Sequence, residues 1–120
     1  MPRKSIVVFI FMLFALISVV PVGAEDQLGV AIYPGASLDA ATTKFLEESL
    51  KVNGVAYRTN DPLAKVADFY KSQKTLEVID ILKEGALFKK DSVDVTLQSP
   101  WMDMKTGKMN NDTLISIVAN

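Results

Sequence analysis

The sequence predicts an α+β fold: a mainly antiparallel sheet with two helices on one face, in the order β-α-β-α-β-β-β-β. Three observations carry that expectation. Apolar residues recur at helical spacing only in the first half of residues 25–120, they alternate in strand fashion in the second half, and Pro and Gly fall between those segments. Neither an internal repeat nor a low-complexity linker divides this stretch, so it reads as a single domain.

Leu28 to Tyr33 is a short apolar run closed by Pro34-Gly35, which suits a first strand and its turn. Helix one should follow, capped by Ser37 or Asp39, with Ala41, Phe45, Leu46 and Leu50 as its apolar stripe and Asn53-Gly54 as its stop. Val55 to Thr59 forms the second strand. Asp61-Pro62 is the clearest start signal, an acceptor for orphan backbone amides followed by a residue that has no donor to orphan. The helix it opens carries Leu63, Val66, Ala67 and Tyr70 at i, i+3, i+4 and i+7, with Phe69 widening that face and Lys65, Asp68 and Lys71 on the wet side. Four strands complete the chain: Thr75 to Leu82, Ala86 to Lys89, the alternating run Val93, Val95, Leu97, and Thr113 to Val118, with Lys105-Thr106-Gly107-Lys108 as a turn before the last.

Residues 1–24 read as a secretory signal peptide. Arg3-Lys4 begins it, Ile6 to Val20 is apolar apart from Ser18, and Pro21-Val22-Gly23-Ala24 supplies small residues for cleavage after Ala24. The apolar run is shorter than the ~20 residues that span a bilayer, so no membrane anchor is expected after cleavage. The implied location is the periplasm or the exterior. With Arg3 and Lys4 removed, the chain keeps all 14 acidic residues against fewer than 13 basic ones, which disfavours a nucleic-acid partner.

Neither cysteine nor histidine occurs in the chain. Thiol nucleophiles, disulfides, zinc ribbons, Ser-His-Asp triads and HExxH sites are therefore excluded, and no cofactor is implied. Carboxylate, lysine, tyrosine, hydroxyl and thioether chemistry remain.

Tyr33-Pro34-Gly35-Ala36, then Tyr57-Arg58-Thr59-Asn60-Asp61-Pro62, then Lys65-Val66 and Phe69-Tyr70, follow one another in a pattern that resembles a group of small exported bacterial proteins of unknown function. In that group a YPGA turn precedes a T-x-D/S element and a helix bearing V-x-x-F-Y. The resemblance covers roughly residues 30–75 and implies an exported α+β domain. It implies no activity, substrate or catalytic residue.

The candidate binding residues are Trp101, Met102 and Met104, in the segment Ser99 to Met109 that holds the only tryptophan and every methionine beyond residue 24. Thioethers are soft ligands that select Cu(I), and a Met-x-Met pair on a strand points both sulfurs to one face. The segment is similar to the Trp and Met-x-Met of periplasmic copper- or silver-binding chaperones of the five-stranded barrel type, which implies a Cu(I) or Ag(I) site at Met102, Met104 and Met109. It differs from them in that Trp101 abuts Met102 and no histidine ligand is present. Alternatively Pro100-Trp101-Met102 is a surface for a protein partner, or Trp101 simply folds under the hairpin as core.

Catalytic candidates are weaker. Asp61/Asp68 or Glu77/Asp80 would have to act as an acid and base. Asp61 is better placed to cap a helix and Asp68 to face solvent, while Glu77 and Asp80 have opposite strand parity and should point apart. Tyr33, Tyr57 and Tyr70 could line a pocket between sheet and helices, or be buried rings with satisfied hydroxyls. The function expected is that of an exported non-enzymatic domain binding a protein partner or small ligand, with a Cu(I)/Ag(I)-binding protein and a histidine-free hydrolase or isomerase as alternatives.

Overall fold

A computed structural model describes residues 26–120, so the leader expected at residues 1–24 lies outside the described residues. The elements are β1 (Asp26–Gln27), β2 (Val30–Ala31), β3 (Ser37–Leu38), α1 (Ala40–Glu48), β4 (Asn53–Thr59), α2 (Leu63–Lys71), β5 (Glu77–Ile81), β6 (Gly85–Lys90), β7 (Val93–Gln98), β8 (Trp101–Met102), β9 (Met109–Asn110) and β10 (Thr113–Ala119). Six strands form one sheet in the order β3-β4-β10-β7-β6-β5, and each neighbouring pair is antiparallel. Among the described residues the architecture is α+β with two helices, and the long elements follow the expected order.

Local chemistry alters the details. Leu28 to Tyr33 is not one strand: Leu28 (φ 55) and Gly29 (φ 81) turn the chain between β1 and β2. At Tyr33-Pro34-Gly35-Ala36 the Ala36 N–H donates to the Tyr33 carbonyl at 3.1 Å, and Gly35 takes φ 85, a conformation glycine adopts without steric cost. Asp39, not Ser37, caps α1. Its carboxylate accepts from the Thr42 N–H and hydroxyl, while Ser37 belongs to β3.

The helix ends at Glu48, well before Asn53-Gly54, and Lys51 (φ 59) takes the left-handed position instead. Gly54 serves packing, because a Cβ there would sit 3.0 Å from Val118 Cγ2 and 3.2 Å from Leu46 Cδ1. Of the stripe expected for α1 only Leu46 is buried, and Leu50 lies beyond the helix with more than half its surface exposed.

The second helix keeps its predicted face: Leu63, Val66, Ala67 and Tyr70 are all buried. Its start differs. Pro62 occupies the N-cap and the cap lacks a side-chain bond, because the Asp61 carboxylate instead accepts from the Tyr33 hydroxyl at 2.6 Å, with Lys65 Nζ 3.7 Å away. Asp61 thus ties the YPGA turn to the α2 entrance. Replacing Asp61 by alanine is expected to lower stability by about 1 kcal/mol. In a thermal-denaturation double-mutant cycle Tyr33→Phe should account for most of that loss; additive effects of the two changes would return Asp61 to a capping role.

The helices do not share a face. Val66 and Tyr70 of α2 pack with Tyr57, Phe88, Val95, Leu97, Ile115 and Ile117, whereas Leu46 of α1 packs with Ala56, Leu114 and Trp101 on the other side of the same strands. The cause is in β4 and β10. Residues 113–117 are buried without a break, so both faces of the central strands need a cover and each takes one helix.

Candidate functional site

After Gln98 the chain leaves the sheet through Ser99–Pro100, a cis peptide, and enters β8. The β8–β9 pair aligns Trp101 with Asn110 and Met102 with Met109. Trp101 is 3% exposed, packed against Leu46, Ala56 and Leu114, which places it in the smaller of two apolar cores.

A polar cluster at one side of the indole fixes its position. Trp101 Nε1 donates to Asp112 Oδ1 at 2.9 Å, and Arg58 Nε donates to Asp112 Oδ2 at 2.7 Å. The Arg58 guanidinium carbon stands 5.0 Å above the indole ring, a cation–π contact, and Nη1 lies 3.6 Å from Asp39. Asp39 therefore both starts α1 and faces the guanidinium that holds the tryptophan. Burial pushes the Asp112 carboxyl up, but the Arg58 and Trp101 donors together with the guanidinium charge outweigh it and hold the group below the ordinary carboxylate value. Arg58 is held above the ordinary guanidinium value, chiefly by its bond to Asp112.

Beyond the indole lies a groove of about 380 Å³ between α1 and the hairpin, with Phe45, Leu46, Leu50, Trp101, Met102 and Met104 among its walls. Volumes of this order hold small ligands. Met102 and Met104 are 50% and 64% exposed, large apolar groups left in contact with water at the groove mouth.

The two methionines do not share a strand face as the Met-x-Met spacing predicts. Asp103 Oδ1 accepts from the Lys105 N–H at 2.8 Å and the Thr106 N–H at 3.3 Å, turning the chain directly after Met102 and leaving Met104 in the loop. The cross-strand neighbour of Met102 is Met109, itself half exposed. Among the described residues no group of three or more Asp, Glu, His or Cys side chains could hold a metal ion.

The catalytic candidates are dispersed. Asp61 is bonded to Tyr33, and Asp68 is exposed on α2. Glu77 and Asp80 depart from their expected parity. Register shifts between Val78 and Asp80, so Glu77 pairs with Lys89 and Asp80 with Leu87, and the bulge at Ile79 puts both carboxylates on one face. Tyr33, Tyr57 and Tyr70 are buried rings of the larger core. Burial, reinforced by Asp61, raises Tyr33 to about 12, and burial raises Tyr70 too while its hydroxyl donates to the Ala31 carbonyl at 2.9 Å. Phenols raised in this way stay neutral near neutral pH and are poor proton acceptors.

Sequence reasoning missed Arg58, Asp112, Phe45 and Leu50 as parts of the site. One signal was available, since Arg58 is the sole arginine after residue 24 and sits in a strand otherwise built for packing. Compared with family models, with curated proteins and with solved structures, the chain matches none of them.

Proposed function

We propose that this protein is an exported, non-enzymatic domain that binds a small apolar ligand in the groove between α1 and the β8–β9 hairpin. The observation that carries the reading is the groove's lining. Phe45, Leu50, Met102 and Met104 surround a cavity floored by the buried Trp101, and thioethers at its mouth can adapt to ligands of different shape. The Tyr33 and Tyr70 hydroxyls, raised by burial and engaged by Asp61 and the Ala31 carbonyl, support a binding role over an enzymatic one.

Trp101 is the intrinsic reporter. Titration with N-phenyl-1-naphthylamine should give saturable energy transfer from Trp101, and Leu50→Asp with Met104→Asp should weaken it at least about tenfold while leaving the melting temperature nearly unchanged, since both sites are exposed. Transfer that survives both changes would remove the groove as the site.

The second reading, Cu(I) or Ag(I) binding, draws support from the direct opposition of Met102 and Met109 across the hairpin. Under reducing conditions Ag(I) would then quench Trp101 with one-to-one saturation, and Met102→Leu with Met109→Leu would abolish the quenching. Export is tested by intact mass: material recovered outside the cytoplasm should begin at Glu25, and a full-length membrane-bound chain would contradict cleavage after Ala24.

A further inference from the structure

The sheet ends differently at its two edges. On one side β3 offers only Ser37–Leu38, while on the other β5 offers five residues, all exposed, including Val78, Ile79 and Ile81 at more than 40%. A strand at a sheet edge presents unpaired backbone N–H and C=O groups along its outer side, and apolar residues on such an edge form a template for another strand.

The bulge at Ile79 sorts the side chains of this edge. Val78 pairs with Phe88 and Ile81 with Ala86, both core residues, so Val78 and Ile81 extend the apolar face that α2 covers further in. Glu77 and Asp80 lie together on the opposite face, and among the described residues neither forms a salt bridge. Lys89, across from Glu77, is engaged by Asp94 at 2.7 Å. Beside Asp80 that face opens into a shallow shelf of about 790 Å³ bounded by Leu82, Lys83, Glu84, Leu87, Thr96 and Gln98. The shelf offers a largely apolar bed whose rim carries the Asp80 and Glu84 carboxylates against the single cation of Lys83, a net negative balance that suits the aliphatic stem and charged head of a lysine or arginine.

We propose that β5 accepts an added strand from a partner protein, an extended segment that alternates apolar and basic residues. Backbone bonds along the outer side of β5 hold the segment, its apolar side chains meet Val78 and Ile81, and its basic side chains meet Glu77 and Asp80 and lie across the shelf. A second copy of this chain fits less well. Antiparallel β5–β5 pairing gathers Glu77 and Asp80 of both copies on one face of the joined sheet, and like charges at a strand pair are destabilising. The β5 edge is not part of the α1 groove, although the shelf beside it shares Gln98 with that groove, and the proposal stands whether or not the groove binds a ligand.

The test uses the chain beginning at Glu25 and a fluorescein-labelled synthetic peptide of alternating lysine and valine, followed by fluorescence anisotropy. Binding is expected to be saturable and salt-dependent, to fall at least about tenfold with Glu77→Lys plus Asp80→Lys, and to slow amide hydrogen exchange in β5. Should the double charge reversal fail to fold, Glu77→Gln plus Asp80→Asn keeps the test, with a smaller loss expected. Equal binding of a peptide of the same composition with its lysines grouped would overturn the proposal, as it would reduce the effect to net charge. Unchanged affinity in the variants, or no slowing of exchange in β5, would also overturn it. So would a sedimenting dimer that the peptide does not dissociate, which would assign the edge to a second copy.

Discussion

Replacing Trp101 by alanine is expected to destabilise the domain by about 3–5 kcal/mol, the largest effect of any single substitution proposed for this site. The indole closes the smaller core against Leu46, Ala56 and Leu114, and it carries the cation–π contact and the bond to Asp112. Trp101→Phe should keep most of the packing while losing the N–H donor, for a smaller loss of about 1–2 kcal/mol. Urea denaturation followed by far-ultraviolet circular dichroism reads both changes without depending on the fluorophore that is removed. If the alanine variant unfolds at the parent's midpoint, the hairpin is an appendage and Trp101 is not part of its anchor.

The second large effect is expected at Asp112. Asp112→Ala removes the shared acceptor of Arg58 and Trp101, leaving a half-buried guanidinium with only the longer contact to Asp39 and an indole N–H with its bond broken. A loss of about 2–3 kcal/mol should follow. The effect depends on pH in a fixed direction. Because the folded carboxyl titrates below its ordinary value, its contribution is fully present above the unfolded pKa of about 4 and is lost as pH falls through the lower folded value. The stability difference between parent and variant, measured by urea denaturation, should therefore shrink as pH is lowered from about 5 through the unfolded value of about 4 and below. A difference that stays constant over that range would mean that Asp112 acts through packing alone.

How much of this was legible in the sequence depends on the range over which the governing contacts act. The α2 face Leu63, Val66, Ala67, Tyr70 and the β7 alternation Val93, Val95, Leu97 are local periodicities, and the structure keeps both. The placement of the helices on opposite faces was also encoded, in the nearly unbroken apolar run of β10, since a strand buried on both sides has no reason to alternate. Asp61 was misread because its partner Tyr33 lies 28 positions earlier and a local cap is the nearest explanation for an aspartate before proline. The anchor of Trp101 was hidden for the same reason, with Arg58 and Asp112 separated by 54 positions. Parity failed at Glu77 and Asp80 because one extra residue reverses every assignment beyond it, and nothing local in Val78-Ile79-Asp80 marks a bulge.

The division of the apolar interior by the sheet has a consequence for how the molecule breathes. Among the described residues, fourteen buried apolar residues, including those of α2, lie on one side, and Leu46, Ala56, Trp101 and Leu114 on the other. The two sides are separated by the sheet, chiefly by β4 and β10, so the thin side can loosen while the thick one stays intact. Partial opening that lifts the hairpin from α1 exposes Trp101 and its few neighbours but leaves the larger core covered, and the binding groove thus sits on the half of the protein where rearrangement costs less. A guest that fills the space between Phe45 and Met104 would act as the missing part of that interior, tightening the hairpin around itself without the main core having to move.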